Sequence, residues 1–185
     1  MRILGLPGSL RAASINAMLL RATARLAPPE IEVSIFRGLG DLPLFNPDLE
    51  ASRPGNVAAF HRAVAEADAL LFASPEYAHG VTGTIKNALD WLVGFEPFAN
   101  KIVAVLNASP RAHHADDALR ETLRTMAAVI VEPASITIPL LGAGLDEAAL
   151  VATSSIAGAV REALRAIQLA VASRQGSLTA QFPLS

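Results

Sequence analysis

From Arg2 to Leu26 the chain reads RILGLPGSLRAASINAMLLRATARL. Arg2–Leu6 is a short apolar run that stops at Pro7-Gly8, the pattern of a buried strand ending in a turn. From Ser14 to Ala27 apolar residues return at helical spacing. Ile15, Met18, Leu19, Ala22 and Leu26 fall on one face, and Pro28-Pro29 ends the run. Between strand and helix stand Ser9, Arg11, Ser14 and Asn16, three short polar side chains and one cation. A strand that hands over to a helix through such a corner sets the theme for the rest of the chain.

The alternation repeats. Ile31–Phe36 alternates apolar and polar residues like a strand near a sheet edge. A long Gly- and Pro-rich connection, RGLGDLPLFNPDLEASRPG, follows, and loops of that length in compact domains are uncommon and often functional. Val57–Glu66 reads as a helix, Ala69–Ser74 as a buried strand, and Thr84–Val93 as a helix. Lys101–Ser109 supplies another buried strand with its exit, Asp116–Ala128 a helix, and Ala134–Ile138 a last strand. A long helix from Asp146 to about Arg174 closes the pattern. Strands and helices alternating in this way demand right-handed crossovers and a parallel sheet covered on both faces. Five strands fit an α/β, flavodoxin-like three-layer sandwich with strand order 2-1-3-4-5. With 185 residues, a single domain over 1–185 is expected.

Composition narrows the function. The chain is 52% hydrophobic and 17% charged, as a well-packed globule would be. Its net charge of −2 gives no broad attraction to nucleic acid or to an anionic membrane. The absence of cysteine excludes disulfides, thiolate metal sites and thiol catalysis, and it suits a reducing, cytoplasmic setting. The opening apolar run is broken by Gly5, Pro7 and Gly8, unlike an export signal. Thr125–Leu145 is interrupted by Pro133, Pro139, Gly142 and Gly144, and Ala148–Val160 falls short of the roughly 20 residues a membrane helix needs. A cytoplasmic protein with neither a nucleic-acid nor a membrane partner is expected.

In doubly wound sheets, ligands bind where strand order reverses, outside the carboxyl ends of the strands. Three segments leave those ends together: Pro7–Asn16, Pro75–Gly83 and Asn107–His114. The first ends at a helix N-terminus, whose unpaired N–H groups and partial positive charge attract anions. Arg11 adds a guanidinium fork suited to phosphate oxygens. GLPGSL lacks the G-x-G-x-x-G spacing of a dinucleotide loop, and no Gly-Lys-Ser/Thr exists for a P-loop, so one terminal phosphate is the better fit. His113, His114, Asp116 and Asp117 read as a solvated helix start, because adjacent side chains there seldom face one ion. No G-x-S-x-G nucleophile elbow is present.

These residues carry a resemblance. GSLRAASIN is similar to the G-S-x-R-x-x-S-x-N loop of the NADPH-dependent FMN reductase family, which has a flavodoxin-like fold and includes quinone, azo-dye and chromate reductases. SPEYAHGVTGTIKNALDW resembles that family's P-E-Y-N-x-G-x-P-G-x-L-K-N-A-L-D-W, and LPLFNPDLE its L-P-L-Y-x-x-D-L-E. The likeness runs from Arg2 to about Ala128. It implies that Ser9, Arg11, Ser14, Ile15 and Asn16 hold the FMN phosphate. It also implies that Pro75, Glu76, Tyr77 and Ala78 line the flavin ring, with Ser109 and Arg111 bordering it. Ala78 stands where the family commonly has Asn, Thr82 where it has Pro, and NASPRAHHADD where many relatives read GASGG.

The implied activity is an FMN-dependent NAD(P)H oxidoreductase. Hydride would pass by ping-pong from NADPH or NADH through FMN to a flavin, quinone or other small-molecule electron acceptor. The cofactor carries the chemistry, so no catalytic side chain and no metal is expected. Two rival readings of the same site are a flavodoxin-like electron carrier and a non-enzymatic FMN-binding regulatory domain. A charge of −2 weighs against the carrier, since such carriers are strongly acidic. In the resembling family the TIKNALDWL helix contributes to a dimer interface, which implies a homodimer or homotetramer.

Overall fold

The computed structural model describes residues 1–181, with side chains described through residue 176. Its element order is β1 (Arg2–Pro7), α1 (Ile15–Leu26), β2 (Glu32–Ile35), α2 (Gly55–Glu66), β3 (Ala69–Ala73), β4 (Glu76–Tyr77) and β5 (Gly80–Val81). Then come α3 (Gly83–Asp90), β6 (Ile102–Val105), α4 (His113–Thr125), β7 (Val129–Ile130), α5 (Glu147–Ala152) and α6 (Ser154–Gln181). The main sheet runs β2-β1-β3-β6-β7, every pair parallel, and β4-β5 is a separate antiparallel hairpin. With the hairpin set aside, this is the expected 2-1-3-4-5 order.

Strand periodicity divides the core into two layers. In β3, Ala69, Leu71 and Ala73 face α1 and α6, whereas Leu70 and Phe72 face α2, α3 and α4. β6 alternates the same way, with Ile102 and Ala104 opposite Val103 and Val105. All five residues of β3 are buried, as a central strand covered on both faces requires. Fully burying each Leu or Phe contributes about 1.5–3 kcal/mol.

The fifth strand lies elsewhere than expected. β7 pairs at Val129–Ile130, and Ala134–Ile138 is not a regular strand. Pro133 brings no N–H to the ladder, and a short 3₁₀ turn replaces the strand at Glu132–Ala134. The Ser135 hydroxyl then stands in for a backbone carbonyl, accepting from the Val105 N–H at 3.1 Å. The chain rejoins the sheet only at the Asn107–Thr137 bridge, where the Ile138 N–H donates to the Asn107 carbonyl at 2.8 Å. Arg120 of α4 clamps this detour, donating to Asp116 at 2.6 Å, Glu132 at 2.8 Å and the Ser135 carbonyl at 3.2 Å. The closing helix is likewise two helices, α5 and α6, broken at Thr153. The hydrogen bond from Arg21 to Glu147 (2.7 Å) ties α5 to α1 and holds the Glu147 carboxyl below its usual range.

Candidate functional site

At the carboxyl ends of β1, β3 and β6, three loops surround a cavity of about 370 Å³. Ser9, Arg11, Ser14, Ile15 and Asn16 line it from the first loop, Pro75, Glu76 and Tyr77 from the second, and Ser109 and Arg111 from the third. Residues separated by up to a hundred positions therefore share one concavity, as the switch-point argument requires.

Gly8 sets how closely the first two loops approach. Its N–H donates to the Ala73 carbonyl at 2.8 Å. A methyl added there would lie 2.5 Å from Ser74 Cβ and 2.9 Å from Ile85 Cγ1, and closer still to Ser74 Oγ. Beyond Gly8 the Ser9 hydroxyl accepts from the Arg11 N–H at 3.3 Å, and the Ser14 N–H donates to the Arg11 carbonyl at 3.1 Å. The loop is thus folded on itself while the Arg11 side chain stays exposed.

Ser14 is the N-cap of α1; its hydroxyl accepts from the Ala17 N–H at 3.2 Å and keeps its own hydrogen to donate. The next N–H groups, of Ile15 and Asn16, have no acceptor within the helix. Asn16 is 93% buried, and its Oδ1 has no hydrogen-bond partner among the described residues. A buried amide oxygen left open in a cavity wall calls for a ligand donor or a water. These groups fit FMN: N–H donors, a hydroxyl and a guanidinium for the phosphate, and an amide for hydroxyls of the linker.

Glu76 lines the cavity, and its side chain also has a structural task. Its carboxylate accepts from the Ala115 N–H at 2.8 Å in the first turn of α4. α4 has Ala112 at its N-cap position and no side-chain cap of its own, so Glu76 satisfies an orphan donor from 39 residues away. This is why α4 begins at His113, three residues before the sequence suggests. Ala78 does not line the cavity. It sits with His79 at the tip of the β4-β5 hairpin, at φ 49° and 58°, a left-handed turn that Asn or Gly would adopt more easily.

Sequence reasoning missed Ala13, Ser74, Asn107, Ala108, Ala112 and Leu141, which also line the cavity. Asn107 is buried and anchors the third loop: its Oδ1 accepts from the Ser109 N–H at 2.9 Å, and its Nδ2 donates to the Ala112 carbonyl at 3.2 Å. An Asn at the end of an apolar strand was the available signal. Thr82, which replaces the family's proline, caps α3 at the Ile85 N–H and lies 3.3 Å from the Ser74 hydroxyl.

Comparison with known proteins agrees with this geometry. Residues 1–140 match the family described as NADPH-dependent FMN reductase. The chain belongs to that family. It is 39% identical over 111 residues to an NAD(P)H-dependent FMN reductase of Pseudomonas aeruginosa, covering 58% of this chain and 60% of that one. A quinone reductase of Escherichia coli strain K12 is 34% identical over 113 residues, covering 59% of this chain and 60% of that protein. The alignments thus span about 60% of the length of these curated relatives. Among solved structures, the flavoenzyme NAD(P)H:(acceptor) oxidoreductase FerB of Paracoccus denitrificans superposes with a TM-score of 0.76 at 27% identity, over 90% of this chain and 97% of that one.

The helix implied in family self-association is largely spoken for within the protomer. Ala88, Leu89, Trp91 and Leu92 are all buried, so this apolar face belongs to the core. The Trp91 indole N–H donates to the Pro43 carbonyl at 2.8 Å, and its ring meets Phe45 edge-on at 5.1 Å. Asn87 joins in, accepting from the Phe45 N–H at 2.8 Å. The long loop is thereby pinned to α3. Among the described residues no helix is long and apolar enough to cross a membrane.

Proposed function

We propose that this protein is an FMN-dependent NAD(P)H oxidoreductase that passes electrons to a quinone, flavin or other small acceptor. The observation that carries the reading is the convergence, on one cavity, of an exposed Arg11, the open α1 N-terminus and the unpartnered Asn16 oxygen. When bound there, FMN supplies acceptance of hydride from NAD(P)H and its onward delivery.

The chain's own work is binding and orientation. Arg11, the Ser9 and Ser14 hydroxyls and the Ile15 and Asn16 N–H groups hold a phosphate dianion. Each charge-assisted hydrogen bond contributes about 1.5–3 kcal/mol. Pro75 and Tyr77 form one wall for a planar ring, and Ser109 borders the other. Glu76 positions that wall by tying its turn to α4. A single cavity serves donor and acceptor in turn, so parallel-line, ping-pong kinetics are expected. Self-association uses surface beyond the buried α3 face, where Leu44 and Val93 are exposed.

Anaerobic NADPH added to the FMN-loaded protein should bleach its visible absorbance without any reductase, and menadione should restore it over many turnovers. Bleaching only when a reductase is added would favour the electron carrier. FMN binding with no bleaching would favour the regulatory domain.

A further inference from the structure

Beside the cavity stands a feature that FMN binding does not use. The rings of His79, at the hairpin tip, and His114, in the first turn of α4, stack with centroids 4.4 Å apart and 26° between planes. The His113 ring lies 4.1 Å from that of His114 and is tilted 37° to it, so three exposed imidazoles form one cluster around a stacked pair. Among the described residues no group of three or more His, Cys, Asp or Glu side chains is arranged to hold a metal ion. All three residues of the cluster are exposed. Next to it in sequence, Arg111 is exposed and lines the cavity.

The backbone under Arg111 is fixed, since its N–H donates to the Ser109 hydroxyl at 3.3 Å and Asn107 braces the loop from both ends. Its guanidinium has no acidic partner among the described residues. Asp116 is engaged with Arg120 at 2.6 Å and Glu76 with the Ala115 N–H, while Asp117 is exposed one turn along α4 from His113. A braced loop that carries an exposed arginine two and three residues before His113 and His114, the latter stacked on His79, has the chemistry of a purine phosphomonoester site. Bases stack on aromatic faces, and arginine takes phosphate in a bidentate grip. The first loop already provides for the flavin phosphate, so this second cation is free for a second phosphate.

We propose that Arg111 and the His79–His114 stack bind the adenosine 2′-phosphate half of NADPH, which makes Arg111 the residue that favours NADPH over NADH. This rests on the oxidoreductase reading above and assigns its hydride donor. Adenine is common to both dinucleotides and engages the His79–His114 stack, whereas only NADPH carries the phosphomonoester that Arg111 pairs with.

The test is calorimetric titration of the FMN-loaded protein with adenosine 2′,5′-bisphosphate and with AMP. The bisphosphate should bind about tenfold more tightly, the worth of one charge-assisted contact. Arg111→Ala should bring the two to the same level, Arg111→Lys should restore part of the difference, and His79→Ala or His114→Asn should weaken both ligands together. In turnover, Arg111→Ala should lower the NADPH-to-NADH ratio of kcat/KM about tenfold, with the loss in KM for NADPH. Equal affinity of the wild-type protein for bisphosphate and AMP would overturn the proposal, as would an unchanged ratio in Arg111→Ala. A wild-type protein that takes up FMN yet accepts no hydride from N-benzyl-dihydronicotinamide, which has no adenosine, would refute the oxidoreductase reading itself. Reaction with that donor alongside an unchanged ratio would refute only the role of Arg111.

Discussion

Gly8 and Ala78 show how single backbone positions govern the site. Gly8 lets the β1 exit lie against Ser74, so an added methyl must push two cavity walls apart. Gly8→Ala should destabilise the fold by about 1–3 kcal/mol, as overpacking does, and loosen FMN binding at the same time. Urea melts with and without FMN would register both, and an unchanged midpoint would show that the contact relaxes freely. Ala78 has the opposite problem, because it holds a left-handed conformation without a side chain suited to it. Ala78→Asn should raise stability by about 0.5–1 kcal/mol, with little effect on FMN affinity because Ala78 lies outside the cavity. A lower melting temperature in that variant would mean that the turn is not strained.

At the scale of elements, the packing of α2 against the turn after α3 depends on one buried histidine. The His61 Nε2–H donates to the Trp91 carbonyl at 2.7 Å, the ring stacks on Phe95 at 4.1 Å, and Nδ1 is buried without a partner among the described residues. Burial holds its pKa below the ordinary 6.5, aided by the Arg53 charge and opposed by the Trp91 hydrogen bond and Glu50. The unfolded chain therefore takes up a proton that the native state refuses. This contribution to stability is complete above about pH 6.5 and is lost as pH falls from there toward the native pKa. Denaturation midpoints should fall across that window, and His61→Gln should flatten this part of the slope. An identical slope in the variant would assign the acid sensitivity to other groups.

The same scale shows what the sequence could disclose. β1, β3 and β6 were legible because doubly buried parallel strands are continuous apolar runs, and α1 because its cap and periodicity coincide. The phosphate corner was legible because strand exit, hydroxyls and cation are all local. What stayed hidden depends on partners distant in sequence. Glu76 caps a helix 39 residues on, Ser135 completes a ladder in place of a backbone group, and Trp91 turns inward to bond a loop 48 residues earlier. The fifth strand was misplaced for a related reason: Ala134–Ile138 carries a strand-like pattern, but Pro133 and the Ser135 side chain split its pairing into two short pieces.

For the whole molecule, the two apolar layers clamp the sheet so that three loops from β1, β3 and β6 are held around one space without a disulfide. The central claim is that this space grips its ligand chiefly by a terminal phosphate at the β1–α1 corner. Fluorescence titration of the apoprotein with FMN and with riboflavin, which differ only in that phosphate, tests it most directly. FMN should bind at least roughly a hundredfold more tightly, since two or more charge-assisted hydrogen bonds are at stake, and Arg11→Ala should narrow the gap. Equal affinity for the two flavins would contradict the account.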